Sequence, residues 1–172
     1  MAQERPNAFT FWGPKTLIGP ELKAGDMAPA FKLIDGKGQE VSSDVFKGKP
    51  MLISVVPSVD TGVCTLQTRR FDQEAASLGD AINVIGVSAD LPFTLSRWCG
   101  AEEANNIRVL SDHRDMNFGQ AFGTYVKELR IDSRAVFVVD QDGVIRYAEY
   151  VPISGNQPNY DAALAAVREI TT

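Results

Sequence analysis

A chain of 172 residues, 44% apolar and 23% charged, with 14 glycines and 9 prolines, has the composition of one globular domain and excludes a collagen-like, low-complexity or disordered protein. Its net charge of −5 argues against non-specific binding to nucleic acid or to an anionic membrane. Two cysteines and one histidine are too few for a disulfide scaffold, and Cys64 and Cys99 lack the CxxC spacing of zinc sites and of thioredoxin-type reductases.

In chain order, residues 8–18 read as two short strands around a Gly13-Pro14 turn, an N-terminal hairpin. Phe31 to Ile34 reads as a strand, stopped by the turn residues Asp35-Gly36-Lys37-Gly38. Pro50 to Pro57 is a nearly continuous apolar run whose length and β-branching favour a strand buried on both faces, with Pro57 ending it. Phe71, Ala75 and Leu78 then form a helical stripe with Gly79 in the C-cap position, and Ile82 to Val87 is a second buried strand. This βαβ unit predicts a parallel pair with a right-handed crossover.

Residues 92–103 fit a helix with Pro92 in its first turn, 107–110 a short strand, and 115–122 a short helix ending at Gly123. Ala135 to Val139 and 144–151 pair across the turn signal Asp142-Gly143. Tyr160, Ala163, Leu164, Val167 and Ile170 make a last amphipathic stripe behind Asn159 as N-cap. The pattern is α/β, a mixed central sheet flanked by helices, in a single domain over residues 1–172. No window holds 18 apolar residues, so no membrane span is expected. Residues 1–7 carry Glu4 and Pro6 with no apolar stretch behind them and do not read as a secretory signal; the expected location is cytoplasmic.

The chemistry concentrates in Pro57-Ser58-Val59-Asp60-Thr61-Gly62-Val63-Cys64, which leaves the carboxyl end of a buried strand and enters a helix. Ligands and catalysis in open α/β sheets gather there. In the first turn of that helix, unpaired backbone N–H groups and the helix dipole favour the thiolate of Cys64. Thr61 can offer its hydroxyl to that sulfur or to an oxygen-bearing substrate. The plain alternative is a small buried hydrophobe. Cys99, near the end of the second helix, is an inert packed thiol, half of a static structural disulfide, which a reducing cytosol disfavours, or a thiol that condenses with an oxidised Cys64. Arg134, at the edge of a buried strand, needs a partner there: a surface pair with Asp132, or an anionic group such as a thiolate. His113, flanked by charges, and the Glu102-Glu103 pair read as solvated, and Trp12 and Trp98 as packing aromatics.

Gly25-Asp26-Met27-Ala28-Pro29-Ala30-Phe31 together with Pro57, Thr61 and Cys64 in a Pro-x-x-x-Thr-x-x-Cys pattern resembles the peroxiredoxins. The octapeptide Pro-Ser-Val-Asp-Thr-Gly-Val-Cys is similar to the thiol peroxidase branch. Ser88-Ala89-Asp90-Leu91-Pro92-Phe93 and Arg97-Trp98-Cys99-Gly100-Ala101-Glu102 are similar to the same branch. The resemblance runs from about residue 8 to the C-terminus. It departs from the family at Trp98, where Phe is expected, and in a short stretch between Gly123 and Arg134 that would shape the entrance to the site.

The resemblance implies a thioredoxin-like fold, a homodimer, reduction of hydroperoxides and thioredoxin as reductant, with no metal, flavin or nucleotide cofactor. By position it makes Cys64 the peroxidatic and Cys99 the resolving cysteine, joined in an intrachain disulfide. Pro57 would shield the sulfur, and Thr61 and Arg134 would hydrogen-bond to it. The thiols start on different helices, and a disulfide needs Cα atoms within about 7 Å, so local unwinding is expected during turnover. Two other readings share part of this pattern: a peroxide sensor that passes its disulfide to a partner protein, and a binding module with two inert cysteines.

Overall fold

The computed structural model describes residues 3–171. The strands are β1 (Glu4–Thr10), β2 (Pro14–Ile18), β3 (Lys32–Ile34), β4 (Glu40–Ser42), β5 (Met51–Val55), β6 (Asn83–Ser88), β7 (Arg108–Ser111), β8 (Tyr125–Val126), β9 (Ile131–Asp132), β10 (Ala135–Val139) and β11 (Ile145–Tyr150). The helices are α1 (Gly62–Leu78), α2 (Pro92–Glu102), α3 (Asn117–Phe122) and α4 (Tyr160–Thr171). Seven strands form one sheet in the order β11-β10-β5-β6-β7-β3-β4. β5, β6 and β7 are parallel, and β10, β11, β3 and β4 run antiparallel to their neighbours. No helix among the described residues is long and apolar enough to cross a membrane.

Alternation along the central strands divides the core into two layers. Met51, Ile53 and Val55 of β5, with Ala135, Phe137 and Val139 of β10, face a layer closed by α3. There Phe118 and Phe122 stack at 4.2 Å between ring centres, and Phe31 and Phe137 meet Phe122 edge-on. Leu52 of β5, with Val136 and Val138 of β10, faces the opposite layer, closed by α1, α2 and α4. Covering on both faces is why β5 and β10 are buried at every residue.

The helix ends follow the local chemistry. Gly79 closes α1 with φ of +60°, a conformation that L side chains rarely adopt. Asn159 caps α4 by accepting from the Ala162 amide at 3.0 Å. A buried carboxyl pair holds α3. Asp112 accepts the Phe118 and Gly119 amides at 3.0 and 2.9 Å, and Asp132 accepts the Thr124 hydroxyl at 2.8 Å. Burial pushes Asp112 up to about 6; burial, reinforced by the charge of Asp112, pushes Asp132 well above the usual carboxylate range.

The fold departs from the sequence expectation in four places. The N-terminal hairpin begins at Glu4 rather than residue 8 and belongs to a second, four-stranded sheet, β1-β2-β8-β9. The short strands β4, β8 and β9 have no periodicity to announce them. The Gly123–Arg134 stretch is not a bare loop: β8 and β9 pair across it and β8 joins β2. Trp12 does not pack into the core. It sits in the hairpin turn at φ of +54°, 80% exposed and leaning on Phe11, because that turn projects its side chain outward. Trp98 is buried and His113 exposed, as read from the sequence.

Candidate active site

Cys64 lies in the first turn of α1, fully buried, with Thr61 as the extended N-cap residue at φ of −94° and ψ of 151°. The segment between β5 and α1 is held by Asp90. Its carboxylate accepts the Ser58 hydroxyl at 2.7 Å, the Val59 amide at 2.8 Å and the Ser88 hydroxyl at 2.7 Å. Thr65 adds a hydrogen bond from its hydroxyl to the Val59 carbonyl at 2.6 Å. Pro57 is buried at the end of the strand run, where it removes a donor and leaves an apolar wall.

Arg134, immediately before β10, crosses the sheet end to the same sulfur. Its Nη2 donates to Cys64 Sγ at 3.2 Å. Nη1 donates to Gln67 Oε1 at 2.9 Å, and Nε and Nη2 donate to the Ser154 carbonyl at 3.1 and 2.7 Å. Gln67, on α1 one turn after Cys64, is fixed in turn because its Nε2 donates to Ser54 Oγ at 2.8 Å and to the Val55 carbonyl at 3.3 Å. Arg134 is 1% exposed and has no carboxylate partner among the described residues. A buried cation so placed is costly unless an anion meets it, and the group at its tip is the Cys64 sulfur.

The N-terminal hairpin supports this arrangement from outside. Thr10 donates from its amide to the Pro152 carbonyl at 2.8 Å and accepts the Ser154 amide at 3.0 Å. That pairing fixes the segment whose Ser154 carbonyl holds Arg134.

Of the five residues singled out by sequence, the structure brings Cys64, Arg134 and Pro57 to one end of the sheet. Thr61 is there too, but its hydroxyl donates to the Ser58 carbonyl at 3.4 Å rather than to the sulfur. The turn before α1 offers that carbonyl to both the Thr61 amide and its hydroxyl, so local turn geometry takes the donor. The surface pairing of Arg134 with Asp132 does not form. Cys99 lies on α2, half-buried against the apolar cluster that contains Cys64, and both cysteines are free thiols. Burial, with the Asp72 carboxylate added, pushes the Cys99 thiol up and keeps it protonated.

Gln67, Ser54, Asp90 and the Ser154 carbonyl were not found from sequence. Gln67 had one signal: an amide three residues after the cysteine shares its helix face. The Ser154 carbonyl had none, since any residue supplies one. Among the described residues no group of three or more His, Cys, Asp or Glu side chains is placed to hold a metal ion. A cavity of about 380 Å³, floored by Phe31, Phe46 and Met51, lies at the opposite end of the sheet and includes neither thiol.

Residues 23–164 match the Redoxin family. The chain is 53% identical over 158 residues to a thiol peroxidase of Bacillus subtilis, covering 92% of this chain and 94% of that one. A thiol peroxidase of Listeria innocua is 48% identical over 156 residues, covering 91% and 94%. Among solved structures, a peroxiredoxin-like protein from Aquifex aeolicus superposes with a TM-score of 0.88 at 33% identity, covering 98% of this chain and 99% of that one. The expectation of a thioredoxin-like α/β fold is met.

Proposed function

The chain belongs to the Redoxin family and is an enzyme of the thiol peroxidase type, and on that premise we propose that it reduces hydroperoxides through a two-cysteine cycle. The observation that carries the reading is the buried Arg134 guanidinium, without a carboxylate partner among the described residues, donating to Cys64 Sγ at 3.2 Å. That contact leaves the guanidinium beside the sulfur, able to stabilise charge that develops on a peroxide oxygen.

In the first step Cys64 thiolate attacks the terminal oxygen of the hydroperoxide. The O–O bond breaks, water or an alcohol leaves with a proton, and Cys64 becomes a sulfenic acid. Arg134 and the open amides of the first turn of α1 face the developing charge. Pro57 keeps bulk water from the sulfur. Thr61 turns its hydroxyl from the Ser58 carbonyl to the bound peroxide. The Cys99 thiol then condenses with the sulfenic acid to give an intrachain disulfide, and thioredoxin restores both thiols by exchange. The substrates are hydrogen peroxide and organic hydroperoxides, and the working unit is a homodimer.

An inert pair of cysteines leaves the buried Arg134 unexplained. The test is peroxide consumption driven by thioredoxin and its reductase. Turnover vanishes in Cys64→Ser and, with this reductant, in Cys99→Ser. Turnover retained in Cys64→Ser overturns the assignment.

A further inference from the structure

Two ion pairs and one carboxylate clamp join α1 to α2 and the residues just after it, and they bracket Cys99. Asp60, at the foot of α1, accepts from Arg97 Nη2 at 2.9 Å. Arg69 Nε of α1 meets Glu102 Oε2 at 3.5 Å, at the other end of α2. Asp72 of α1 accepts the amides of Asn106 and Ile107 at 2.7 and 2.9 Å, fixing the chain that leaves α2. Cys99 lies between Arg97 and Glu102 on the same helix. Beneath this seam, Leu95 and Trp98 pack into the same apolar layer as Phe71, Ala75 and Cys64. The contacts of Arg134 with Cys64 and with Gln67 lie outside the seam.

We propose that the Asp60–Arg97 and Arg69–Glu102 ion pairs are positioning elements that hold α2 closed against α1 and thereby set the rate at which Cys99 reaches Cys64. The inference rests on the two-cysteine cycle proposed above. In the step concerned, Cys99 sulfur attacks Cys64 sulfenic sulfur, the S–S bond forms and the S–O bond breaks. Cys99 sulfur is oxidised, Cys64 sulfur is reduced, and the hydroxyl leaves with the thiol proton as water. The competing step is attack of the sulfenic acid on a second hydroperoxide, which gives sulfinic acid and water or an alcohol. A closed seam delays the first step and leaves more time for the second.

Because the charged groups of the seam are solvent-accessible, each ion pair contributes modestly and is screened by salt. Opening one should speed disulfide closure by about twofold to fivefold, from the usual strength of exposed ion pairs.

The experiment mixes reduced protein with one equivalent of hydrogen peroxide. It follows sulfenic acid formation and disulfide closure separately, by quenched mass analysis and by the fluorescence of Trp98 beside Cys99. The proteins are the unsubstituted chain, Arg97→Gln, Arg69→Gln, the double variant, and the charge exchange Asp60→Arg with Arg97→Asp. Closure is expected to accelerate in both single variants and further in the double, with sulfenic acid formation unchanged and less sulfinic acid in excess peroxide. Added salt accelerates the unsubstituted protein but not the double variant, and the charge exchange returns closure toward the original rate. Closure that is unchanged or slower in the double variant overturns the inference alone. Absence of any intrachain disulfide in the unsubstituted protein overturns the two-cysteine reading and this inference with it.

Discussion

Gln67→Met tests whether the guanidinium is aimed by its neighbours or merely present. The substitution keeps length and approximate volume at a fully buried position but removes both ends of the amide. Arg134 Nη1 loses its acceptor at 2.9 Å, and Ser54 Oγ loses its donor at 2.8 Å. Arg134 keeps the Ser154 carbonyl, so it stays in the site but can rotate about that anchor. A hydrogen bond to a charged group contributes about 1.5–3 kcal/mol. If that energy is what points Nη2 at the sulfur, its loss slows sulfenic acid formation roughly 10- to 100-fold. The assay is the second-order rate of the reduced protein with peroxide, read by rapid quench and mass analysis, on samples whose circular dichroism matches the original. The KM for thioredoxin, which meets the disulfide rather than the peroxide, should not change. A rate within about twofold of the original would refute the positioning role.

Other expectations concern stability. Phe122→Ala removes a ring stacked on Phe118 and met edge-on by Phe31 and Phe137, so it should cost about 3–5 kcal/mol in urea unfolding. A loss under about 1 kcal/mol would mean that the layer collapses into the space. The Asp112–Asp132 pair gives a pH dependence of definite sign. Both carboxyls bind protons more tightly folded than unfolded, so their contribution is full below about pH 4 and is lost as pH rises through about 6 and above. Asp132→Asn keeps an acceptor for Thr124, removes one buried charge and should flatten that fall, raising the melting temperature near pH 7.5 more than near pH 5. Equal shifts at both pH values would contradict the raised proton affinity of the buried pair.

The fold was largely legible where burial is two-sided or periodic. The runs at Met51–Val55 and Ala135–Val139 can satisfy their side chains only inside a covered sheet, and the stripe at Phe71, Ala75 and Leu78 only against one. β8 and β9 were not legible, because two-residue strands owe their existence to β2 lying beside them rather than to their own pattern. Trp12 misled for a related reason: an aromatic side chain argues for burial until the turn that carries it decides which way it points. At the site, Cys64 and Arg134 were legible through the resemblance and through the cost of a cation at a buried strand edge. Their support was not. Gln67 acts through a side chain that sequence spacing placed on the correct face without naming its partner, and Ser154 acts through its backbone. The Thr61 hydroxyl was correctly placed but is turned to a carbonyl three residues away, a choice made by the turn geometry.

The central claim is that Cys64 takes the peroxide oxygen and Cys99 resolves it. The most direct measurement is a free-thiol count before and after one equivalent of organic hydroperoxide, with non-reducing mass analysis, on the original chain and on Cys64→Ser and Cys99→Ser. The expected result is loss of both thiols into a disulfide within one chain, a persistent sulfenic acid on Cys64 in Cys99→Ser, and no rapid reaction in Cys64→Ser. Survival of both thiols at the rate of free cysteine would contradict the account. A disulfide joining two chains would leave the role of Cys64 intact and contradict that of Cys99 as the resolving thiol of its own chain.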